Sequence, residues 1–508
     1  MRWSYVFVLG LFTVGCGSDS GGGGSAGSGG SASGGSGGVG GASGSASTAG
    51  TGGSAGSAGV GGGAGSGGTA PSFIEALEAR GFTVQTGRFS LIDLSNCCED
   101  GKSCSGNNPT SPYSTYYVPR APGQTVANPN ELPDGTSSTF RLREDEAVIY
   151  VGKTPPPAKY FGFRSYLFDR FNTTSNQREN IFASLGPTLN PLTIGVDTSG
   201  GTGSSPAPFD RPTLVITTGH AQTDRLIRES ALAAGISESA LNTDVLDPAK
   251  VKFGLEDQAD SFGFLFRYAI PEDPAKGQAF LDNPGATLLR VTPATPLTPD
   301  PIPAPARPTR GSGTSENSYS AALDALEQAI RNQYSGYDIT AIPLATTGEP
   351  DPDACIAGTR SCAGDNPDAL YPSSGPLRFE AALQPNANTF YVAFGVNHEA
   401  SGKVLYSNLS VYGVEHLVGV KSVASPEMPG SAQDYLPNDA QANELFAWKI
   451  ARSCGGAAHC MEVPTGCPGV DTNAFATITF RAYLDPVTKT GPAANELLPE
   501  RILKISNP

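Results

Sequence analysis

The chain has 508 residues and a formal net charge of −15. This charge argues against a nucleic-acid partner, because phosphate backbones are bound by clustered Lys and Arg. The first 70 residues hold 28 of the 64 glycines, whereas residues 71–508 have a globular composition rich in proline. That length allows two or three cores of roughly 100 to 200 residues each.

The N-terminus reads MRWSYVFVLGLFTVGC, in which Arg2 precedes an apolar run and small residues lead to Cys16. This is the layout of a secretory signal, and it is too short for a membrane-spanning stop-transfer helix. The segment resembles the bacterial lipoprotein signal, whose small-residue box ends in a cysteine that becomes the acylated first residue. The resemblance implies a signal peptide over 1–15, lipidation of Cys16 and an extracytoplasmic protein attached to the outer membrane or cell surface through its lipid alone. An ordinary signal peptide, with Cys16 uninvolved, is the alternative.

Residues 16–70 predict a tether. From residue 17 onward they are Gly, Ser, Ala and Thr with two Val and one Asp. Such a composition cannot bury a core and is typical of disordered chain. Its root-mean-square reach is roughly 40 Å, so we expect the folded part to lie well away from the membrane.

Two cysteine-containing segments indicate an internal duplication. Residues 97–113 and 355–371 share seven identical positions of 17, with six residues between the cysteines and a Tyr at the same offset. Similar helix and strand patterns flank both segments. We therefore expect two copies of one α+β unit, roughly 72–172 and 318–415, within a first half at 71–210 and a second half with a C-terminal extension at 318–508. Convergent loop chemistry is the alternative.

The stretch TPPPAKYFGFRSYLFDRF begins at residue 154 and alternates with period 2. One face carries Tyr160, Arg164 and Tyr166, residues that can stack on sugars or other flat ligands. We consider them a candidate site for a small-molecule or glycan ligand. The alternative is a central strand that is buried on both faces, with Arg164 paired to an acid.

Between the halves, residues 211–292 show strand and helix patterns in the order β-α-β-β-α-β. This is the arrangement of ferredoxin-like modules, so we expect a ferredoxin-like insert. Seven prolines in the 16 residues 293–308 then predict an extended linker over 293–317. The expected fold class is therefore α+β and β-rich.

Two of the four histidines are candidate metal ligands, because each is next to a glutamate in the sequence. His398 precedes Glu399 and His416 follows Glu415, on either side of an apparent strand pair over 390–413. A hairpin could bring them together as a transition-metal site. Counted from the predicted turn, however, the strand register places His398 near the turn and His416 far along the opposite strand. No cofactor is expected.

Cysteine usage predicts disulfides. Apart from Cys16 there are eight cysteines, an even number, and none lies in the CxxC pairs typical of zinc sites. Equal spacing predicts the bonds Cys97–Cys104 and Cys355–Cys362. A Gly-Gly pair makes Cys454–Cys460 easy to close, whereas Pro464 stiffens the alternative bond Cys460–Cys467. We therefore expect Cys454–Cys460 and, by elimination, Cys98–Cys467.

These features predict a lipid-anchored extracytoplasmic protein of binding or structural type. No P-loop, dinucleotide fingerprint or nucleophile elbow occurs in residues 71–508. The alternative is an extracytoplasmic enzyme, a hydrolase with its site between the duplicated halves.

Overall fold

A computed structural model describes residues 71–94, 96–199, 207–347, 351–378, 389–472 and 474–507. The predicted signal peptide, the tether and Cys16 lie outside the described residues. The described chain is β-rich with a few helices, which confirms the predicted α+β class. Within these ranges, no helix has the length and apolar character needed to cross a membrane.

The chain from residue 71 to 293 forms three helices and eleven strands in its described part. They are α1 Phe73–Ala79, β1 Phe82–Leu91, β2 Tyr113–Pro119, β3 Thr136–Ser137, β4 Thr139–Phe140, β5 Ala147–Lys153, β6 Ala158–Asn172, β7 Gln177–Ser184, β8 Pro212–Thr218, α2 Ala221–Ala233, β9 Leu241–Val245, β10 Ser261–Pro271, α3 Pro274–Asp282 and β11 Thr287–Pro293. One sheet runs in the order β7-β6-β10-β2-β1-β11-β5-β8-β9, with β3 beside β2 and β4 beside β10.

Local sequence explains how this region begins. Ser72 caps α1, because its hydroxyl accepts from Glu75 N while the Glu75 carboxylate accepts from Ser72 N. Strand β1 then pairs with β11 through residue 87 and with β2 from residue 88 onward. At this change of partner a Cβ on Gly87 would lie 2.5 Å from Tyr117 O, so the close approach requires glycine.

The long sheet folds over an aromatic core. Strands β5 and β6 are distant in the strand order, yet the rings of Tyr150 and Phe163 lie 5.2 Å apart. Phe163 also contacts Phe266 at 4.7 Å. These buried rings belong to one large cluster, so the two ends of the sheet pack face to face.

The predicted ferredoxin-like insert is wrong as a separate module. The order β8-α2-β9-β10-α3-β11 does occur, but apart from β8 with β9 these strands pair with strands of residues 82–184. Strand β10 lies between β2 and β6, and β11 lies between β1 and β5. Each apolar strand is buried more fully inside the long sheet than in a small sheet of its own.

The described chain from residue 320 to 506 forms two helices and eleven strands. They are α4 Ser320–Gln333, β12 Asp338–Ile342, β13 Ala345–Thr347, α5 Pro352–Gly358, β14 Ala369–Ser373, β15 Leu377–Arg378, β16 Phe390–Val396, β17 Tyr406–Gly413, β18 Val418–Ala424, β19 Leu445–Ala451, β20 Cys460–Glu462, β21 Phe475–Tyr483 and β22 Arg501–Ser506. One sheet has the order β12-β22-β16-β19-β20 and the other β13-β14-β21-β17-β18, with β15 beside β21.

The two sheets pack on each other, and α4 covers the outer face of the first. Phe446 on β19 and Phe480 on β21 lie 6.3 Å apart in the cluster between the sheets. Leu326 and Ile330 of α4 belong to a second buried cluster with Phe394 of β16. The spacing of these helix residues gives α4 one apolar face, which the sheet buries.

The predicted proline-rich linker is anchored along its length. Ala294 N donates to Gly81 O at 2.8 Å, and Ile302 N donates to Gly219 O at 2.9 Å. Further on, the guanidinium of Arg310 donates to carbonyl oxygens in the 367–369 region. The segment therefore contacts both flanking regions.

The eight cysteines of the described chain form four disulfides. The pairs are Cys97–Cys104, Cys98–Cys467, Cys355–Cys362 and Cys454–Cys460. They match the pairs predicted from cysteine spacing. In three of these bonds the cysteines are six or seven residues apart in the sequence, whereas Cys98 and Cys467 are 369 residues apart.

Loop length predicts unequal contributions of these bonds to stability. In the chain-entropy model the Cys98–Cys467 bond stabilises by on the order of 5 kcal/mol, and a short-loop bond by about 2 kcal/mol. We expect the Cys98→Ser/Cys467→Ser double variant to lose more unfolding free energy in urea than the matched Cys454→Ser/Cys460→Ser variant. Equal losses would contradict the loop-length argument.

Candidate functional site

Two cysteine loops, residues 97–113 and 355–371, each contact a hairpin of the opposite half. The first loop meets the β17–β18 hairpin and the second meets the β6–β7 hairpin. The backbone bonds are Cys104 N to His416 O (2.7 Å), Gly106 N to Leu417 O (2.8 Å), Cys362 N to Ile181 O (2.8 Å) and Gly364 N to Phe182 O (2.9 Å). The two contacts therefore use the same positions of each loop.

Buried tyrosines extend this reciprocal contact. The Asn366 side chain of the second cysteine loop donates to Tyr160 Oη at 3.1 Å, and Asn108 of the first loop donates to Tyr406 Oη at 3.4 Å. Both tyrosines are fully buried. Each hydroxyl therefore has its partner in the other half.

Two buried arginines lie on either side of this contact. Arg267 of β10 and Arg481 of β21 are 4% and 7% exposed. Each guanidinium lies beside two tyrosine rings: Tyr113 and Tyr166 for Arg267, at 5.6 and 5.7 Å, and Tyr371 and Tyr412 for Arg481, at 5.6 and 5.0 Å. Such rings stabilise a cation through their negative faces.

The prediction of an exposed ligand-binding face on β6 is wrong. The alternative, a strand buried on both faces, is confirmed. Tyr160, Arg164 and Tyr166 are at most 2% exposed. Arg164 forms an ion pair with buried Asp244. Period-2 alternation distinguishes two faces of a strand but does not reveal whether either is exposed, because partner strands and loops from elsewhere cover both.

The predicted histidine pair is wrong as a metal site. Strands β16 and β17 belong to different sheets, so they form no hairpin. His398 binds Glu316 and Glu500, whereas the backbone oxygen of His416 accepts from Cys104. Among the described residues no group of His, Cys, Asp and Glu is arranged to hold a metal ion.

His398 joins three distant segments. Its Nδ1 lies 2.8 Å from Glu316 Oε1, and its Nε2 lies 3.2 Å from Glu500 Oε1. Burial opposes protonation, but the two carboxylates outweigh burial and raise the pKa of His398 to about 10. The imidazolium is therefore a buried cation that links the linker, the end of β16 and the start of β22.

A cleft of about 530 Å³ lies where the β6–β7 hairpin meets α5. It is polar overall, with an apolar side formed by Phe171 and Ile356. Its other lining residues are Arg170, Asn172, Thr173, Ala249, Lys250, Lys252, Asp353, Ala357 and Thr359. The cleft therefore combines an aromatic ring with side-chain donors, as small-molecule sites do.

The cleft is more basic than the rest of this acidic chain. Arg170 is held by Asp260 in a bidentate pair, at 2.6 and 3.0 Å, and Lys250 Nζ lies 2.9 Å from Asp353 Oδ1. The exposed Lys252 has no ion pair among the described residues. Arg170 and Lys250 are thus neutralised by carboxylates, and Lys252 is the lining cation that remains available to a ligand with negative charge.

Sequence reasoning missed this cleft. Arg170 and Phe171 lie at the end of the 154–171 stretch, whereas the predicted ligand-binding residues lie at its centre. Lys250 and Lys252 stand singly in a loop with no motif. Five acidic residues in 244–260 surround these two lysines, so the sequence carried no local signal, and α5, which completes the cleft, lies about 100 residues further along.

No family model matches the chain, and no curated protein matches it. Among solved structures, the chain is similar to the VPA0106 protein from Vibrio parahaemolyticus, with 9% sequence identity and a TM-score of 0.37. The match covers 85% of this chain and 96% of that protein.

The His398 cluster predicts a pH-dependent stability. A group whose pKa rises from 6.5 unfolded to about 10 folded stabilises fully below 6.5 and loses its contribution as the pH rises through 10. We expect His398→Gln to lose about 3–5 kcal/mol of unfolding free energy at pH 6, the loss typical of a broken buried pair. That deficit should shrink towards pH 10 in urea titrations.

The control is His416→Gln, whose half-buried ring has no carboxylate partner among the described residues. We expect little change in stability from it at any pH. A deficit in His398→Gln that stays constant between pH 6 and 10 would contradict the charged-imidazole interpretation.

Proposed function

We propose that the protein is a lipid-anchored extracytoplasmic binding protein, built from two related halves, whose ligand occupies the cleft beside α5. The N-terminal resemblance to a lipoprotein signal supports the anchor. Four disulfides support the location, because such bonds persist in oxidising compartments outside the cytoplasm. The outer membrane or cell surface of a bacterium is the site of attachment that this signal implies.

The pairing order of the strands supports a duplication longer than the one expected from the sequence. In both halves a helix precedes the first strand. The order β7-β6-β10-β2-β1-β11-β5-β8-β9 of the first half corresponds strand by strand to β18-β17-β21-β14-β13 and β12-β22-β16-β19-β20 of the second, with β1 matched by β13 and β12 together. The second half differs by a break between β12 and β13, where Pro343 lacks the N–H a continuous strand would use. Its described residues also have no helix at the positions of α2 and α3, and α5 has no counterpart in the described first half.

The proposed copies therefore run from 73 to 293 and from 320 to 506, and the segment taken for an insert belongs to the first copy. The reciprocal loop contacts also favour this proposal, since self-complementary contacts of this kind characterise two-fold pairs of identical subunits. An experimental structure in which Tyr113 and Tyr371 have unrelated surroundings would contradict the duplication.

The cleft is the observation that carries the binding function. Phe171 offers a ring for stacking, and Lys252 offers an ammonium group with no ion pair among the described residues. Asn172, Thr173 and Thr359 add hydrogen-bonding side chains. Stacking, neutral donors and a cation together suit an acidic carbohydrate, within the class of small-molecule and glycan ligands.

A hydrolytic function is less well supported. A general acid or base must reach the substrate, and a perturbed pKa is its usual sign. Among the cleft residues described, Asp353 is the carboxylate, and it is exposed and paired with Lys250. We therefore extend the proposal to binding and not to catalysis.

Lipidation can be tested directly. Expression of the full chain in a bacterium with labelled palmitate should label the wild type, and Cys16→Ala should carry no label because the acyl-accepting cysteine is gone. Mass spectrometry of the mature N-terminus is the second measurement. An unlabelled wild type, or a mature chain that begins after Cys16, would show that the anchor is absent.

Ligand binding can be tested with oligogalacturonate and a neutral oligosaccharide of equal length. We expect the acidic ligand to bind more tightly, and Lys252→Glu to weaken it by about tenfold or more, equivalent to about 1.4 kcal/mol or more, because a cation becomes an anion. Lys421→Glu, on the exposed side of β18, makes the same charge change away from the cleft and should bind normally. Calorimetry measures both, and equal binding by wild type and Lys252→Glu would refute the assigned site.

A further inference from the structure

Arg481 is a buried cation without a counter-charge in the described structure. It is 7% exposed, and although Tyr412 lies beside the guanidinium, the Nε and Nη1 atoms have no hydrogen-bond partner among the described residues. No carboxylate of the described residues forms an ion pair with it. Burying a charge without a partner is strongly unfavourable, so this position calls for a negative group.

Arg267, the corresponding residue of the first half, is well satisfied. Its Nη1 donates to Tyr166 Oη at 2.6 Å, and its Nη2 donates to Gly364 O at 3.0 Å. Asp365 and Asp368 of the second cysteine loop accept hydrogen bonds from Ser184, Tyr160 and Asn190, and they add negative charge to the surroundings of Arg267 without an ion pair to it among the described residues. Burial raises the pKa of both carboxyl groups, and the charge of Arg267 opposes that rise.

The first cysteine loop lacks these carboxylates. Asp365 lies ten residues after Cys355, and the residue ten after Cys97 is Asn107. Asn107 makes the same contact as Asp365: its Oδ1 accepts from Gly419 N at 2.8 Å, as Asp365 Oδ1 accepts from Ser184 N at 2.7 Å.

The second carboxylate is missing too. Asp368 lies thirteen residues after Cys355, and the matching residue of the first loop is Thr110. Asp368 Oδ2 accepts from Tyr160 Oη at 3.1 Å, and the Thr110 hydroxyl contacts Tyr406 Oη in the same way. The contacts are thus retained while both negative charges are lost.

We propose that a small monovalent inorganic anion, chloride, binds at the guanidinium of Arg481 and supplies there the negative charge that Asp365 and Asp368 add to the surroundings of Arg267. The unpartnered Nε and Nη1 atoms are its donors. The site lies within the contact between the halves, so the anion stabilises that contact. This inference rests on the correspondence of the halves proposed above and is independent of the cleft ligand.

The test is thermal unfolding of the full chain in increasing chloride, with ionic strength held constant by gluconate. A bound anion raises the unfolding midpoint in a saturable manner. Asn107→Asp is nearly isosteric and supplies an internal carboxylate, so it should abolish the chloride-dependent shift. Ser103→Asp places the same charge at an exposed position of the same loop and should keep the shift.

A chloride-independent midpoint in the wild type, or a shift that Asn107→Asp leaves unchanged, would overturn the proposal. Crystals grown in bromide give a direct readout: an anomalous peak within hydrogen-bonding distance of Arg481 supports the site, and its absence overturns it. The correspondence of the halves is tested separately by the experimental structure described above, in which Tyr113 and Tyr371 should have related surroundings. If Asn107→Asp removes the shift and those surroundings are unrelated, the anion site stands and the correspondence of the halves fails.

Discussion

Tyr160 belongs to the first half of the chain and Tyr406 to the second. Each hydroxyl is buried in its own half and hydrogen-bonded to a side chain of the other half. A buried hydroxyl without a partner is destabilising by about 1–3 kcal/mol, so neither half satisfies its own polar groups alone. The amides of Cys104 and Cys362 have the same dependence, because each donates to a hairpin across the contact. The contacts that both cysteine loops make with the opposite half therefore stabilise the fold of the described chain.

The same exchange determines where charge accumulates. The second cysteine loop carries two carboxylates, Asp365 and Asp368, where the first carries the amide of Asn107 and the hydroxyl of Thr110. The tyrosine rings around the guanidinium groups of Arg267 and Arg481 moderate the burial of charge through cation–π contacts but do not neutralise it. The two sides of the contact therefore share the same hydrogen-bond geometry but differ in the charge of their side chains.

How much could be predicted from the sequence depended on the range of each interaction. The short disulfides followed from spacing alone, and Cys98–Cys467 followed because the local choices left no other pair. The prediction of a ferredoxin-like insert was wrong because the order of elements along the chain does not determine which strands pair. Strands β10 and β11 pair with strands far upstream in the sequence. The burial of the strand around Arg164 could not be predicted either. Its counter-charge, Asp244, lies 80 residues away in the sequence, and this ion pair allows the cation to be buried.

The Cys98–Cys467 bond also bears on resistance to proteolysis. It ties together points that enclose most of the folded chain, including the linker and the exposed tips of several hairpins. A protease that cuts once anywhere between those points releases no fragment, because both pieces remain covalently joined. Since the loop contacts and sheets persist around the cut, a nicked molecule keeps the arrangement of its two halves.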